Sequence, residues 1–547
     1  MKFTLEKANV KGFCAFFRNN PPLVIAISIA LFFTYGCKLF WYSIGIDTVP
    51  FMANRVEALK WEVQIGRFGL AALQGSRHFN PFFAFLLTFC LIWLFTLFWS
   101  YLIVIFCRST GRNNQLIPFA LTFMTSIFWA EQFYFLHQAS EVALMITICP
   151  YVIYLFYKGF LDGERGKVIS AFLLLVLMIS VYQSMVLLFG CGVLLCFVLL
   201  AKQMECEVKE YWQLCMKFLA AMLLAVAVYW LINKTVLFVC HLKKVYYFGA
   251  MNHWQQRPFQ ENIFHILRLS YTITMGNIPM VQNATYYTFL HLAKPYAKAI
   301  KDAHSTIAPG TPFLPLISLL FIIKIIAYQK KESPGKKFLC IMTGIGIPFS
   351  IMIIPIIGGG VVPVRTIMAL PLALAFMIFY LIHTYKKRCA IVITCLALFI
   401  TVYQTRVTSH LFYSDQMRYG EDVRLANDLK HLIGQVQVDK KVPVVLFGNY
   451  KMSKCFRDDR NFLPGEAIGH SVFDFAANPI QTTENGLGFM KTLGIPFKLP
   501  NRDQLARATK ESEAMPSYPD PNCVRLMEDY VVVKIAEGRT YLNPSAS

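Results

Sequence analysis

The chain has 547 residues, of which 56% are hydrophobic and 15% charged, and its mean hydropathy is +0.49. This composition excludes an ordinary soluble enzyme, and apolar runs of about 17–25 residues, long enough to cross a bilayer, recur along the sequence. The net charge of +21 falls largely in short loops between these runs, which disfavours nucleic acid as a partner and indicates orientation in a membrane.

The first apolar run, 22–46, is too long for a cleavable signal peptide and is predicted to remain as a membrane span. Ten further runs bring the total to about eleven predicted spans. They lie at 81–107, 115–130, 141–158, 167–182, 184–201, 214–238, 312–329, 338–357, 366–384 and 389–404. The sequence therefore predicts a polytopic α-helical membrane protein.

Lys and Arg residues fall in every second loop between these spans, as at Arg108 and Lys386. Because cytoplasmic loops carry an excess of such residues, the pattern predicts a cytoplasmic N-terminus. We accordingly expect a multi-spanning domain at 1–404. Its first outer loop, 47–79, and its long outer loop, 239–311, both lie outside.

Residues 405–547 are predicted to form a small extracytoplasmic α/β domain. An amphipathic pattern over 418–434 favours a helix, and the runs 442–447 and 530–535 favour strands. Cys455 and Cys523 lie in this polar region, where an oxidising compartment would allow them to pair.

The first outer loop holds the most informative residue, Asp47, which directly follows the first span. Beyond it, Glu57, Lys60, Gln64 and Arg67 fall at helical spacing opposite an apolar face. Such a segment predicts an interfacial helix with Trp61 at headgroup depth. Either Asp47 is catalytic and Arg67 lies near a lipid phosphate, or Asp47 is an N-cap or an exposed loop acid beside a plain surface helix.

Three polar residues lie at the outer ends of two spans: Glu131, His137 and Glu141. Carboxylates at that depth tend to face a polar cavity, where they would bind sugar hydroxyls, although simple solvation is the alternative. Arg365 departs from the charge pattern of the outer loops, so we expect it to have a partner, either a phosphate or a carboxylate such as Glu131.

The long outer loop combines aromatic and polar residues, with His253, Trp254 and Arg257 close together. Rings beside amides and cations suit carbohydrate, but the same mixture is ordinary at a membrane interface. No nucleotide-binding fingerprint precedes a helix, so an activated lipid is the expected energy source.

Five stretches carry a family resemblance: Gly45-Ile-Asp47, Trp61 to Phe68, Ser180 to Ser184, Val364-Arg365-Thr366, and Asp415 to Ile433. With them the chain resembles the polytopic C-type glycosyltransferases, and more narrowly the Gtr-type (type II) serotype-converting glucosyltransferases of bacterial envelopes. The family's acidic residue maps onto Asp47. Members often carry a second acid nearby, where this chain has Thr48 and Val49. That leaves either the single carboxylate of Asp47, or Glu57 and Glu62 a few turns on, to do the work.

The resemblance implies transfer of glucose from undecaprenyl-phosphate-glucose to O-antigen or another envelope polysaccharide, outside the bacterial inner membrane, with inversion. Asp47 and Glu57 are then the expected catalytic residues, and Arg67, Arg365 and Arg257 the expected donor phosphate ligands. Sugar or acceptor contacts are expected from Glu131, Glu141, His137, Trp61, His253 and Trp254. No metal or other cofactor is expected.

Three other classes remain open from the sequence: an O-antigen polymerase or ligase, a flippase or other transporter, and a structural or sensory membrane protein. An O-antigen polymerase or ligase also has many spans and a large outer loop, but it would rely on outer arginines instead of Asp47. A flippase or other transporter would be expected to show paired repeats and mid-membrane charges, whereas most charges here lie at the ends of spans.

Overall fold

The computed structural model describes residues 9–76, 80–108, 114–201, 208–245, 253–274, 310–328, 333–360, 363–436, 442–450, 452, 462–463, 465, 467–474 and 479–537. Within these ranges the chain is almost entirely helical, with one small sheet near the C-terminus. Cys455 lies outside the described residues, and the thiol of Cys523 is buried and free.

The helices of the first half are α1 (Val10–Asn19), α2 (Pro21–Tyr35), α3 (Cys37–Phe40), α4 (Thr48–Ala53), α5 (Arg55–Gln64), α6 (Phe68–Gly75), α7 (Pro81–Cys107), α8 (Leu116–Met124), α9 (Ile127–Phe133), α10 (Leu136–Asp162), α11 (Arg165–Val181), α12 (Met185–Leu200) and α13 (Val208–Val239). Those of the second half are α14 (Phe259–Thr274), α15 (Leu314–Tyr328), α16 (Pro334–Ser350), α17 (Ile353–Gly358), α18 (Ala369–Thr384), α19 (Lys387–Val436), α20 (Pro479–Thr492) and α21 (Arg502–Glu513).

Among the described residues, four helices are long and apolar enough to cross a membrane: α7, α10, α13 and α19. Two bent pairs, α1 with α2 and α8 with α9, raise the number to six if each pair is one span. Shorter apolar helices cover 185–200, 311–327 and 369–384. The membrane class follows from these helices, and each of the eleven runs singled out in the sequence contains helix.

Helix α10 lies at the centre of the bundle, because 83% of its most apolar 18-residue stretch is buried and it packs along both α7 and α11. Helix α13 is peripheral, because only 11% of its most apolar 18-residue stretch is buried. Aromatic side chains fill the space around α10: Phe95 and Phe123 lie edge to face with ring centroids 5.4 Å apart, and Trp129 packs on both. Such contacts stabilise the interior beyond simple burial.

The first loop differs from the single interfacial helix expected at 51–67. It forms three short helices, α4, α5 and α6, separated by turns at 54 and 65–67. In α5 the buried residue is Glu62, while Val56 on the predicted apolar face is exposed. Glu62 faces the bundle because it pairs with the buried His137 there, and this pairing decides which side of α5 is buried, contrary to the apolar pattern.

The C-terminal region begins within a helix, because α19 continues unbroken for 50 residues through the predicted boundary at 404–405. After it, strands β1 (Val444–Phe447), β2 (Val524–Leu526) and β3 (Val531–Lys534) form a sheet in the order β1-β3-β2. β1 pairs with β3 in parallel and β2 pairs with β3 antiparallel. Two of these strands lie within the runs predicted from sequence.

Candidate active site

Asp47 lies exposed at the turn between α3 and α4. It occupies the N-cap position of α4, but its side chain accepts no capping hydrogen bond. The turn before it is tightly fixed, because a Cβ atom on Gly45 would approach the ring of Tyr134 to 2.5 Å. Asp47 is therefore an exposed loop acid and not a side-chain cap of α4, and its catalytic role stays a prediction.

Beside this turn is a buried polar group that we call the Arg67 cluster: Glu62, Arg67, His137 and Gln138. Arg67 Nη1 lies 3.0 Å from Gln138 Oε1 and 3.5 Å from Glu62 Oε2. Glu62 Oε1 lies 3.6 Å from His137 Nε2. Burial by itself would raise the pKa of Glu62, but Arg67 and His137 hold that pKa below its usual value. Glu62 is therefore an anion that orients its two neighbours.

The turn carrying Arg67 is anchored to the bundle through Gly66. Its φ is +87°, a conformation that favours glycine, and a Cβ there would approach the Tyr229 hydroxyl to 2.5 Å. Tyr229 donates to the Gly66 carbonyl at 2.9 Å, and Gln183 donates to the Ile65 carbonyl at 3.1 Å. The guanidinium of Arg67 then lies 4.7 Å above the Tyr182 ring.

The Arg67 cluster reaches the Asp47 turn through His137. Thr48 Oγ1, one residue beyond Asp47, lies 3.5 Å from His137 Nδ1. Phe51 stacks on the same imidazole at 5.9 Å, and Gln74 donates to the His137 carbonyl at 2.6 Å. The first outer loop is thus brought against His137 at the start of α10.

Arg365 contacts Phe135, which lies between α9 and α10 beside the same histidine. Its guanidinium lies 4.6 Å from the centroid of Phe135, and that ring lies 6.3 Å from the ring of His137. Arg67 keeps a buried Nε without a hydrogen-bond partner, as does the Tyr182 hydroxyl. The region therefore combines two cations with polar groups that remain available to a ligand.

The two predicted acids on the bundle are both buried. Glu131 Oε2 accepts a hydrogen bond of 3.1 Å from the backbone N–H of Ala467, so it holds part of the C-terminal region. Glu141 accepts from Ser140 Oγ at 2.9 Å. Neither carboxylate is the solvated surface group that was the alternative from sequence.

Glu57 and Trp61 lie on the outer face of α5. Glu57 pairs with Lys60 at 2.6 Å, and both side chains are about half exposed or more. Trp61 is 43% exposed, and its place at headgroup depth stays a prediction. Within this helix it is Glu62, not Glu57, that joins the Arg67 cluster.

His253, Trp254 and Arg257 belong to a second group of contacts, on the segment before α14. Trp254 Nε1 donates to the Ile356 carbonyl at 2.7 Å, and Arg257 Nε lies 3.8 Å from Glu261. Burial and the nearby Arg257 lower the pKa of His253. Its Nδ1 lies 3.2 Å from Gln256 Oε1 and its Nε2 has no partner, so a neutral ring would offer Nε2 as an acceptor.

A third group was not among the site residues predicted from sequence: the buried charges Lys38, Asp415, Arg418 and Asp422. Arg418 Nη2 lies 2.6 Å from Asp415 Oδ1, and its Nη1 lies 3.0 Å from Asp422 Oδ2. Asp415 Oδ2 lies 3.3 Å from Lys38 Nζ. The available signal was the spacing of three charges at i, i+3 and i+7 beside Leu411 and Leu425, which places them on the apolar face of a helix.

Among the described residues, no group of three or more His, Cys, Asp or Glu side chains could hold a metal ion. The chemistry that the described groups can supply is proton transfer at a carboxylate and stabilisation of an anion by guanidinium groups.

A polytopic helical protein with a carboxylate, two arginines and a histidine gathered at one end of its bundle has the parts of a membrane group-transfer enzyme. The family model for glucosyl transferase GtrII matches residues 36–382, and the chain belongs to this family. Membership makes it a glycosyltransferase of the glucosyl transferase type. No curated protein and no solved structure matches it.

Proposed function

We propose that the protein transfers glucose from a polyprenyl-phosphate-glucose, such as undecaprenyl-phosphate-glucose, to a hydroxyl group of O-antigen or another envelope polysaccharide. The reaction takes place on the outer side of the bacterial inner membrane, with the C-terminal region on that side. The observation that carries the proposal is the family match over 36–382, which includes Asp47 and the whole Arg67 cluster.

Asp47 acts as the general base. It removes the proton from the acceptor hydroxyl as that oxygen forms a bond to the anomeric carbon, and the bond from that carbon to the phosphate oxygen breaks. The electron pair leaves with the lipid phosphate, the proton passes from Asp47 to solvent, and the anomeric centre is inverted. An exposed carboxylate without a capping bond supports this role, because it is open to an incoming acceptor.

Arg67 and Arg365 stabilise the departing lipid phosphate. Arg67 retains a buried Nε–H without a partner. Its guanidinium donates to Gln138, the residue after His137, and the guanidinium of Arg365 lies over Phe135, whose ring neighbours that of His137. Preorganised cations at the leaving group lower the barrier because negative charge develops there in the transition state. Glu62 keeps Arg67 oriented. It also serves as the second acid, for which Glu57 and Glu62 were the candidates from sequence.

Sugar contacts come from His137 and Gln138 beside the arginines, and from the segment of His253 and Trp254. The unpartnered His253 Nε2 and Asn262 Oδ1 are acceptors, which suit donating sugar hydroxyls and disfavour a phosphate. Arg257 is therefore better suited to a sugar oxygen than to the donor phosphate.

The test measures glucose incorporation into envelope polysaccharide in membranes holding wild type, Asp47→Asn or Asp503→Asn at matched protein levels. Asp503 is an exposed carboxylate on α21 and serves as the control. We expect Asp47→Asn to lower the rate by about a hundredfold or more and Asp503→Asn to leave it unchanged. Full activity in Asp47→Asn would show that another residue is the general base. Transfer only from a different lipid-linked sugar would show that glucose is not the donor sugar.

A further inference from the structure

The buried charge cluster, Lys38, Asp415, Arg418 and Asp422, is electrically balanced, with two cations and two carboxylates. The side chains of Asp415, Arg418 and Asp422 are fully buried and that of Lys38 is 3% exposed. Charges so removed from water persist only where each is paired and hydrogen-bonded. Such a network specifies one arrangement of the segments that it joins.

One of these segments leads directly into Asp47. Arg418 Nη2 donates to the backbone carbonyl of Ile44 at 3.0 Å, three residues before Asp47. Ser43 Oγ donates to Asp415 Oδ2 at 2.6 Å, and Lys38 donates to the Ser43 carbonyl at 3.2 Å. The same guanidinium reaches Tyr134, whose ring packs against Gly45.

The other segment is the loop 467–473 of the C-terminal region. The backbone N–H of Gly469 donates to Asp415 at 3.3 Å, and that of Val472 donates to Asp422 at 3.1 Å. Ser471 Oγ donates to the second oxygen of Asp422 at 2.6 Å. Both carboxylates therefore bind Arg418 on one side and the loop on the other.

We propose that Arg418 is a positioning residue for Asp47, and that the C-terminal loop 467–473 completes the catalytic turn by locking Arg418 between Asp415 and Asp422. Asp47 receives no hydrogen bond as the cap of α4, so its location depends on the backbone that Arg418 fixes. The proposal rests on the proposed role of Asp47 as the base. It assigns the C-terminal region a part in catalysis, although that region lies beyond the family match at 36–382.

The test is a double-mutant cycle of Arg418→Lys and Asp47→Asn, assayed with the lipid-linked sugar that supports transfer by wild type. Lysine keeps the charge but lacks the planar fork that reaches two carboxylates and a carbonyl together. We expect Arg418→Lys to lower kcat by about 10- to 100-fold, as for a catalytic group moved by about 1 Å, with KM for the donor little changed. In the Asp47→Asn background, Arg418→Lys should lower kcat by less than about twofold, because the carboxylate that Arg418 positions is already absent.

A purely structural role gives a different result. If Arg418→Lys only reduced the amount of active protein, the fractional loss would be equal in both backgrounds, and this would overturn the proposal while leaving Asp47 as the base. Wild-type activity in Arg418→Lys would also overturn it. Wild-type activity in Asp47→Asn would overturn the assignment of Asp47 and the positioning role together.

Arg424→Lys is the matched control, because Arg424 pairs with Glu421 at 2.8 Å on the same helix but is 54% exposed. It should change neither kcat nor KM. If Arg418→Lys does not yield folded protein, Ser43→Ala replaces it in the cycle. This smaller change removes the hydroxyl that donates to Asp415 and accepts from Lys38, and it leaves every charge of the cluster paired.

Discussion

Arg418 donates a hydrogen bond of 3.0 Å to the backbone carbonyl of Ile44, a residue 374 positions earlier in the chain. This contact joins the last long helix to the turn that carries Asp47. Because the guanidinium also lies between Asp415 and Asp422, the C-terminal region and the candidate active site share one buried network. Changes to that network should affect stability as well as transfer.

Replacing Arg418 by methionine should strongly destabilise the protein. The change leaves two buried carboxylates with the charge of Lys38 alone, and breaking a buried ion pair costs about 3–5 kcal/mol. Arg507→Met is the control, because the pair of Arg507 with Asp529 is about half exposed and an exposed ion pair contributes little to stability. Unfolding of the purified protein in detergent measures both, and equal losses would contradict the expectation.

Replacing Glu62 by glutamine should lower glucose transfer by about tenfold or more, because Arg67 and His137 lose the anion that orients them. Glu57→Gln lies on the same helix and removes only an exposed pair with Lys60, so transfer should stay within about twofold of wild type. The rates are compared at equal protein level in the same membranes. Inactivation by Glu57→Gln with an active Glu62→Gln would return the second acid to Glu57.

Gly69→Ala should destabilise the packing of α6 on α11. A Cβ at this position would lie 3.0 Å from the Cβ of Ser180 and closer still to its hydroxyl oxygen. Overpacking of this kind costs about 1–3 kcal/mol. It would also disturb Arg67, which immediately precedes α6.

Gly75→Ala, at the other end of α6, is the control for that change. A Cβ there meets no atom within 4 Å, so alanine should be neutral or stabilise by up to about 1 kcal/mol. Thermal unfolding of the two variants gives the comparison. A Gly69→Ala protein as stable as Gly75→Ala would show that α6 and Ser180 separate without cost.

The C-terminal loop should make stability fall at acidic pH through His470. Burial lowers the pKa of His470 to about 4, and Arg418 acts in the same direction. In the unfolded chain the pKa is about 6.5, so the unfolded state binds more protons between these values. The contribution of neutral His470 is therefore complete above about pH 6.5 and is lost as the pH falls to about 4.

The variant His470→Gln removes this titration and should flatten the dependence of Tm on pH over the same interval. His431→Gln, on the exposed face of α19, serves as the control. Measuring Tm of the detergent-solubilised proteins at several pH values decides the matter. A slope for His470→Gln equal to that of wild type would contradict the expectation.

In the first outer loop, the helical spacing of the residues predicted helix correctly but did not predict which side of it is buried. Its residues were expected to form one helix with an apolar face, yet three helices form and Glu62 is the side chain that α5 buries. Helical spacing places Glu57 and Glu62 on different sides of α5, but the side that faces His137 depends on the turns at 54 and 65–67. The turn at 65–67 is fixed by Tyr229 and Gln183, which come from distant parts of the chain.

The sequence by itself determined the membrane class, the helical runs and the presence of strands within 442–447 and 530–535, and it proposed Asp47 as the candidate carboxylate. These follow from local composition and spacing, because a long apolar run or a β-rich run has the same preference wherever it lies. Only the tertiary structure decided that Lys38 meets Asp415, that Arg418 holds Ile44, and that Glu131 binds Ala467. Buried charges require partners of opposite charge or polarity, and which partner is met depends on how distant helices pack, a relationship that local pattern does not encode.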